Sequence, residues 1–133
     1  MKRSFTFTPK DGVPPGVGPF SHATQWDDLL FVTGQMPTDP ATGAVVAGDI
    51  GAQAEQVRRN LEAVLAQFGL TLDDALMVRV YLTSFDDYAS FNAAYTGWFK
   101  GPLPSRTCVG VTGLAVGAMV EIDLIAGMRA ETK

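Results

Sequence analysis

Arg106–Thr112 (RTCVGVT) and Met119–Ala126 (MVEIDLIA) are two short runs of alternating side-chain character, joined by the glycine- and alanine-rich Gly113–Ala118. A period of two is the mark of a strand, because successive side chains point to opposite faces. The pair therefore predicts two strands, and the short glycine-containing loop predicts an antiparallel hairpin. Arg106 and Cys108 fall on one face of the first strand, with Gly110 beyond them. Glu121 and Asp123 fall on one face of the second. If Thr112 lies opposite Met119, guanidinium, thiol and carboxylates meet in one patch. An arginine fork suits a carboxylate ligand, and a nearby glutamate can orient or deprotonate a water. The competing reading is an ordinary cross-strand ion pair beside a small buried cysteine.

Upstream, Ala75–Thr83 (ALMVRVYLT) alternates in the same way. Val78, Val80 and Leu82 lie on one side, Arg79, Tyr81 and Thr83 on the other. Between this strand and the C-terminal pair, Asp86 or Asp87 can cap a helix running to about Phe99. Tyr88, Phe91, Tyr95, Trp98 and Phe99 form its aromatic face, read here as core. Further upstream, Asp49 is placed to cap a longer helix. Ile50, Ala54, Val57, Leu61, Val64, Leu65 and Phe68 form its apolar stripe, and Gly69 stands where it should stop. Leu29–Met36 (LLFVTGQM) and Ser4–Thr8 (SFTFT) read as strands. Pro37–Gly43 reads as a turn, and Ala44–Ala47 as a small edge pairing. The resulting order is β-β-α-β-α-β-β. It predicts an α+β fold: a mixed sheet with two helices on one face.

The chain has 133 residues, enough for one domain over 1–133. It is 47% hydrophobic and only 18% charged, with a net charge of −4. Strands that are apolar on both sides, in a chain so poor in charge, predict that the second sheet face is a subunit interface holding a polar pocket. No apolar run is long enough to span a membrane, and the first residues lack the apolar core of a secretory signal. The one cysteine fits a cytoplasmic location. The negative charge argues against nucleic acid. Spacing supports no metal cluster and no dinucleotide-binding fingerprint. His22, the one histidine, lacks the G-x-S-x-G context of a hydrolase triad and is read as a locally bonded loop residue.

Taken together, several segments resemble a known family. These are Gly18-Pro19-Phe20-Ser21, Phe31-Val32-Thr33-Gly34-Gln35, Asp39-Pro40 through Gly43, and Gln53–Leu65 with Asn60. Phe85-Asp86-Asp87-Tyr88, Asn92-Ala93-Ala94-Tyr95, Pro104-Ser105-Arg106-Thr107-Cys108-Val109 and Val120-Glu121-Ile122 follow in order. From Gly18 to Ala126 the chain resembles the reactive intermediate deaminase family, RidA or YjgF, of the endoribonuclease L-PSP superfamily. The resemblance implies a chorismate-mutase-like fold assembled as a homotrimeric barrel, with active sites between subunits. It implies a cofactor-independent 2-iminobutanoate/2-iminopropanoate deaminase, which hydrolyses enamines and imines such as 2-aminoacrylate to 2-keto acids and ammonia. It also implies roles: Arg106 grips the substrate carboxylate, Glu121 handles the water, and the Cys108 backbone completes the catalytic set. Phe20, Thr33, Gly34 and Asn92 line the substrate. No metal or other cofactor is implied.

Two departures stand out. The family usually has tyrosine where this chain has Phe20, and glutamine where it has His22. The Phe20 substitution keeps open a protein that binds 2-keto acids without turnover, or a regulatory one. A ribonuclease is a further alternative, disfavoured by the net charge.

Overall fold

The computed structural model describes residues 1–129. Strands β1 (Arg3–Phe5), β2 (Ala23–Trp26) and β3 (Leu29–Gln35) precede helix α1 (Ile50–Ala66). Strand β4 (Ala75–Leu82), helix α2 (Tyr88–Tyr95), and strands β5 (Ser105–Gly110) and β6 (Val120–Gly127) complete the fold. The strands form one mixed sheet in the order β1-β2-β3-β6-β4-β5. This is the expected α+β architecture with one more strand. The sequence reading passed over β2, whose four residues, Ala-Thr-Gln-Trp, are too few and too polar to show a period.

The expected C-terminal hairpin does not form. β4 lies between β5 and β6, parallel to the first and antiparallel to the second. The connection after β5 passes over the end of β4: Val111 N–H donates to Leu82 O at 2.8 Å, and Thr83 N–H donates to Met119 O at 3.1 Å. Parallel neighbours need a crossover, and α2 supplies it. A short glycine-rich loop looks the same in sequence whether it closes a hairpin or steps across an intervening strand.

Local signals explain the helices. The Asp49 side chain accepts Ala52 N–H at 3.1 Å and caps α1. At the other end Gly69, at φ 70°, lets Leu70 N–H reach back to Leu65 O at 3.0 Å, as in a Schellman ending. The aromatic helix is shorter than expected. Its α-helical part ends at Tyr95, and Thr96–Trp98 tighten into a 3₁₀ turn.

The two sheet faces differ. On one, Val78, Val80 and Leu82 of β4, Ile122 and Leu124 of β6, and Leu30 and Val32 of β3 are buried with the stripe of α1 and with Phe91. The other face is open. Trp26, Leu29, Phe31 and Val109 are exposed on it, interspersed with Arg79, Tyr81, Glu121 and Asp123. Among the described residues no helix is long and apolar enough to cross a membrane.

Buried polar groups tie loops to this core. His22 is 3% exposed, and its Nδ1 accepts Phe7 N–H at 2.9 Å while Nε2 faces Pro14 O at 2.9 Å. Both ring nitrogens are engaged with backbone, which makes His22 a structural residue. Asn60 on α1 donates from Nδ2 to Met36 O at 2.9 Å and to Thr38 O at 2.8 Å. It thereby anchors the segment leaving β3. Asn60→Ala leaves two buried carbonyls unpaired and should lower unfolding free energy by about 2–4 kcal/mol in a denaturant titration.

Candidate active site

The predicted site residues fall into two groups on opposite faces of the sheet. This corrects the single patch expected from a hairpin. Arg106 and Cys108 pair with Val78 and Val80, so their side chains share the helix-covered face. Glu121 and Asp123 pair with Tyr81 and Arg79, on the open face. In one chain the guanidinium and the carboxylates point away from each other.

On the open face, the pairing of β3 with β6 slips between Val32 and Gln35. Thr33 and Gly34 sit in that irregularity, a feature that often re-aims side chains. The Glu121 carboxylate occupies the space this creates: a Cβ on Gly34 would lie 2.9 Å from its carboxyl carbon and closer still to Oε2. Glycine is needed there for this approach. Thr33 Oγ1 donates to Ser21 O at 2.6 Å, fixing the bulge to the preceding loop.

Neighbouring charges leave Glu121 free. Asp123 is fully engaged, accepting from Arg79 Nε at 2.7 Å and from the Tyr81 hydroxyl at 3.0 Å. Glu121 has no ion-pair partner among the described residues. Burial, and secondarily the negative charge of Asp123, raises its pKa above the ordinary glutamate value. A carboxyl group tuned this way can exchange protons closer to neutral pH.

Gly34 also borders a small cleft lined by Pro14, Val17, Phe20, His22 and Gln35. Phe20 is 42% exposed at its rim, and its ring packs over Gly16 and Gly18. The structure therefore brings Phe20, Thr33, Gly34 and Glu121 to one region.

The second group lies at β5, an edge strand. Arg106 Cζ is 4.9 Å from the Tyr95 ring centroid, 5.7 Å from that of Tyr88 and 6.0 Å from that of Phe91. These cation–π contacts hold the guanidinium without neutralising it. Nη2 donates to the Tyr88 hydroxyl at 3.2 Å, and no carboxylate pairs with Arg106 among the described residues. Burial raises the Cys108 thiol pKa, and the opposing pull of Arg106 is the smaller effect. The thiol is thus a poor nucleophile. Asn92 lies on α2, and its Oδ1 is buried with no partner among the described residues. Among the described residues, no group of three or more His, Cys, Asp or Glu side chains could hold a metal ion.

The sequence reading named the charged residues and missed their partners. The aromatic face reads as core, and Phe91 and Tyr95 are buried in it while Tyr88 packs against it, but all three also bed Arg106. The available signal was their spacing on the helix that follows β4. The close fit of Gly34 and Glu121 is testable by a double-mutant cycle. Gly34→Ala should destabilise by about 1–3 kcal/mol, and Glu121→Ala should relieve most of that cost in the double variant. Strictly additive costs would show that the carboxylate does not hold this place.

Comparison with known proteins agrees with this fold. The endoribonuclease L-PSP family model matches residues 12–128. The RutC family protein y4sK of Sinorhizobium fredii is 43% identical over 115 residues, spanning 86% of this chain and 91% of the relative. Among solved structures, YyfA of the conserved Rid family from Yersinia pestis superposes with a TM-score of 0.89 at 36% identity. That match covers 96% of this chain and 100% of the other. RidA from an Antarctic Psychrobacter superposes with a TM-score of 0.88 at 33% identity, over 95% of this chain and 100% of the other. With the family model spanning nearly the whole described chain and the fold shared throughout, the chain belongs to the endoribonuclease L-PSP family, the group of the RidA and YjgF proteins.

Proposed function

We propose that this protein is a cytoplasmic, cofactor-independent imine deaminase. It hydrolyses 2-imino acids, and enamines such as 2-aminoacrylate that tautomerise to them, to 2-keto acids and ammonia. The observation that carries this reading is the state of Arg106: a half-buried guanidinium, bedded on three aromatic rings, with the neutral Tyr88 hydroxyl and no carboxylate as its partner among the described residues. Such a group suits a small planar carboxylate held by two parallel hydrogen bonds. Family membership supports the reaction class.

The chemistry asks little more of the protein. A protonated imine is already electrophilic at C2. Water adds there, its oxygen forming the new C–O bond while the C=N π pair moves to nitrogen. Glu121 accepts the proton that the water loses. After a proton reaches the nitrogen, the C–N bond breaks, ammonia leaves, and loss of the hydroxyl proton gives the keto group. The enzyme fixes the carboxylate, places one water and moves protons.

The reading also requires a second copy of the chain. Arg106 and Glu121 point to opposite faces of one sheet, so one protomer cannot direct both at the same substrate. A homotrimer with sites between subunits joins the β5 edge of one copy to the Glu121–Gly34 region of its neighbour. The exposed apolar side chains Trp26, Leu29, Phe31 and Val109 support burial of the open face.

A second reading, binding of 2-keto acids without turnover, draws on Phe20, which lacks a phenol at the rim of the cleft. Ammonia release separates the two. With 2-iminobutanoate generated in situ, Arg106→Ala should lower kcat/KM about 100-fold or more, the cost of a charge-assisted pair, while sedimentation still shows a trimer. Unchanged turnover in that variant, or a monomeric parent, would sink the proposal. Tight calorimetric binding of 2-oxobutanoate with no ammonia release would favour the second reading.

Glu121 gives a separate test. Its pKa is raised, so the carboxylate needed as base is lost below a pH above the ordinary glutamate range. The acid limb of kcat/KM should therefore lie above that range. Asp123→Asn removes the like charge and should move the limb to lower pH. Glu121→Gln should abolish the limb and cost about 100-fold in kcat.

A further inference from the structure

Arg106 is positioned by an uncharged polar group. Among the described residues its side-chain hydrogen-bond partner is the Tyr88 phenol, whose oxygen accepts Nη2–H at 3.2 Å. The phenol O–H donates to no group among the described residues. Phe85 stacks on Tyr88 with centroids 4.7 Å apart and planes 15° apart, which fixes the ring's orientation. Tyr88 and Arg106 are both half-buried, so a small solute can reach them. Along the same helix stripe, Asn92 Oδ1 and Tyr95 Oη are buried with no partner among the described residues, and Tyr95 is only 6% exposed. Unpaired buried polar atoms are costly. They stand one and two turns along that stripe from Tyr88, which is itself bonded to a cation with no carboxylate partner among the described residues.

We propose that Tyr88 is a positioning and specificity residue of the carboxylate clamp. Its oxygen holds Nη2 and so sets the plane of the guanidinium. Its O–H then donates to the anion that the guanidinium binds. The clamp presents three donors to one carboxylate, two from Arg106 and one from Tyr88. The deaminase reading supplies only the identity of that anion, a 2-imino or 2-keto acid. The phenol donor discriminates against a ligand whose carboxylate is masked, because an ester oxygen accepts a hydrogen bond far more weakly than a carboxylate oxygen.

Tyr88→Phe tests this with little disturbance, since it keeps the ring, the Phe85 stack and the cation–π contact. Calorimetry with 2-oxobutanoate and with its methyl ester reads the clamp directly. The variant should bind 2-oxobutanoate about tenfold more weakly, the loss expected for a hydrogen bond to a charged group. Its affinity for the ester should not change. In turnover assays KM should rise about tenfold with kcat nearly unchanged. Equal affinity of variant and parent for 2-oxobutanoate overturns the proposal. So does an equal loss for acid and ester, or a parent that does not bind 2-oxobutanoate. A parent that binds it, loses affinity on Tyr88→Phe, yet releases no ammonia from imines refutes the deaminase reading and leaves the clamp standing.

Discussion

Strand β4 is the constraint on which the rest of the molecule depends. It is hydrogen-bonded on both sides, to β5 and to β6, and its alternation divides the protein in two. Val78, Val80 and Leu82 are at most 2% exposed and face the helices. Met77, Arg79 and Tyr81 face the open side. Each neighbouring strand inherits that division through its register. Arg106 and Cys108 are drawn to the helix face because Val78 and Val80 are there. Glu121 and Asp123 go to the open face because Tyr81 and Arg79 are there. Moving the register by one residue would exchange every one of these groups between faces.

The division explains how few charges can be assigned distinct tasks. On the open face, Asp123 is engaged by Arg79 and Tyr81, whereas Glu121 has no ion-pair partner among the described residues. Burial, and secondarily the charge of Asp123, keeps the Glu121 carboxyl harder to ionise. On the helix face, aromatic rings steady Arg106 without neutralising it. An aspartate in place of those rings would hold the side chain more firmly and compete with any anionic ligand. The aromatic helix is thus both core and bedding: Phe91 is fully buried in the apolar cluster while its ring faces the guanidinium.

Much of this was legible in the chain. The stripe of α1, its Asp49 cap and its stop at Gly69 are local signals, and they sit where the periodicity placed them. The alternation of β4 was equally clear. What failed was partnership. Arg106 and Cys108 share one side of their strand, as do Glu121 and Asp123 of theirs, but the inferred meeting between them assumed adjacent strands, and the two pairs stand on opposite faces of the sheet. β2 was missed because four half-polar residues carry no period, and it is held by its pairing to β1 and β3. Asn60 was visible only as part of a family pattern. Its task, bonding two backbone carbonyls more than twenty residues away, belongs to no local pattern.

By itself, then, the sequence determined the elements, their amphipathic faces, the family and a short set of charged residues, because strand and helix periods are local properties of backbone geometry. Strand order, and with it the side of the sheet on which each charge stands, was decided only by tertiary structure. A crossover through α2 allows β4 to insert between β5 and β6, and the free energy of that arrangement lies in burial of a shared core distributed over the whole chain. The same packing turned a stripe of core aromatics into the support for Arg106, and a glycine in a strand into the space for Glu121.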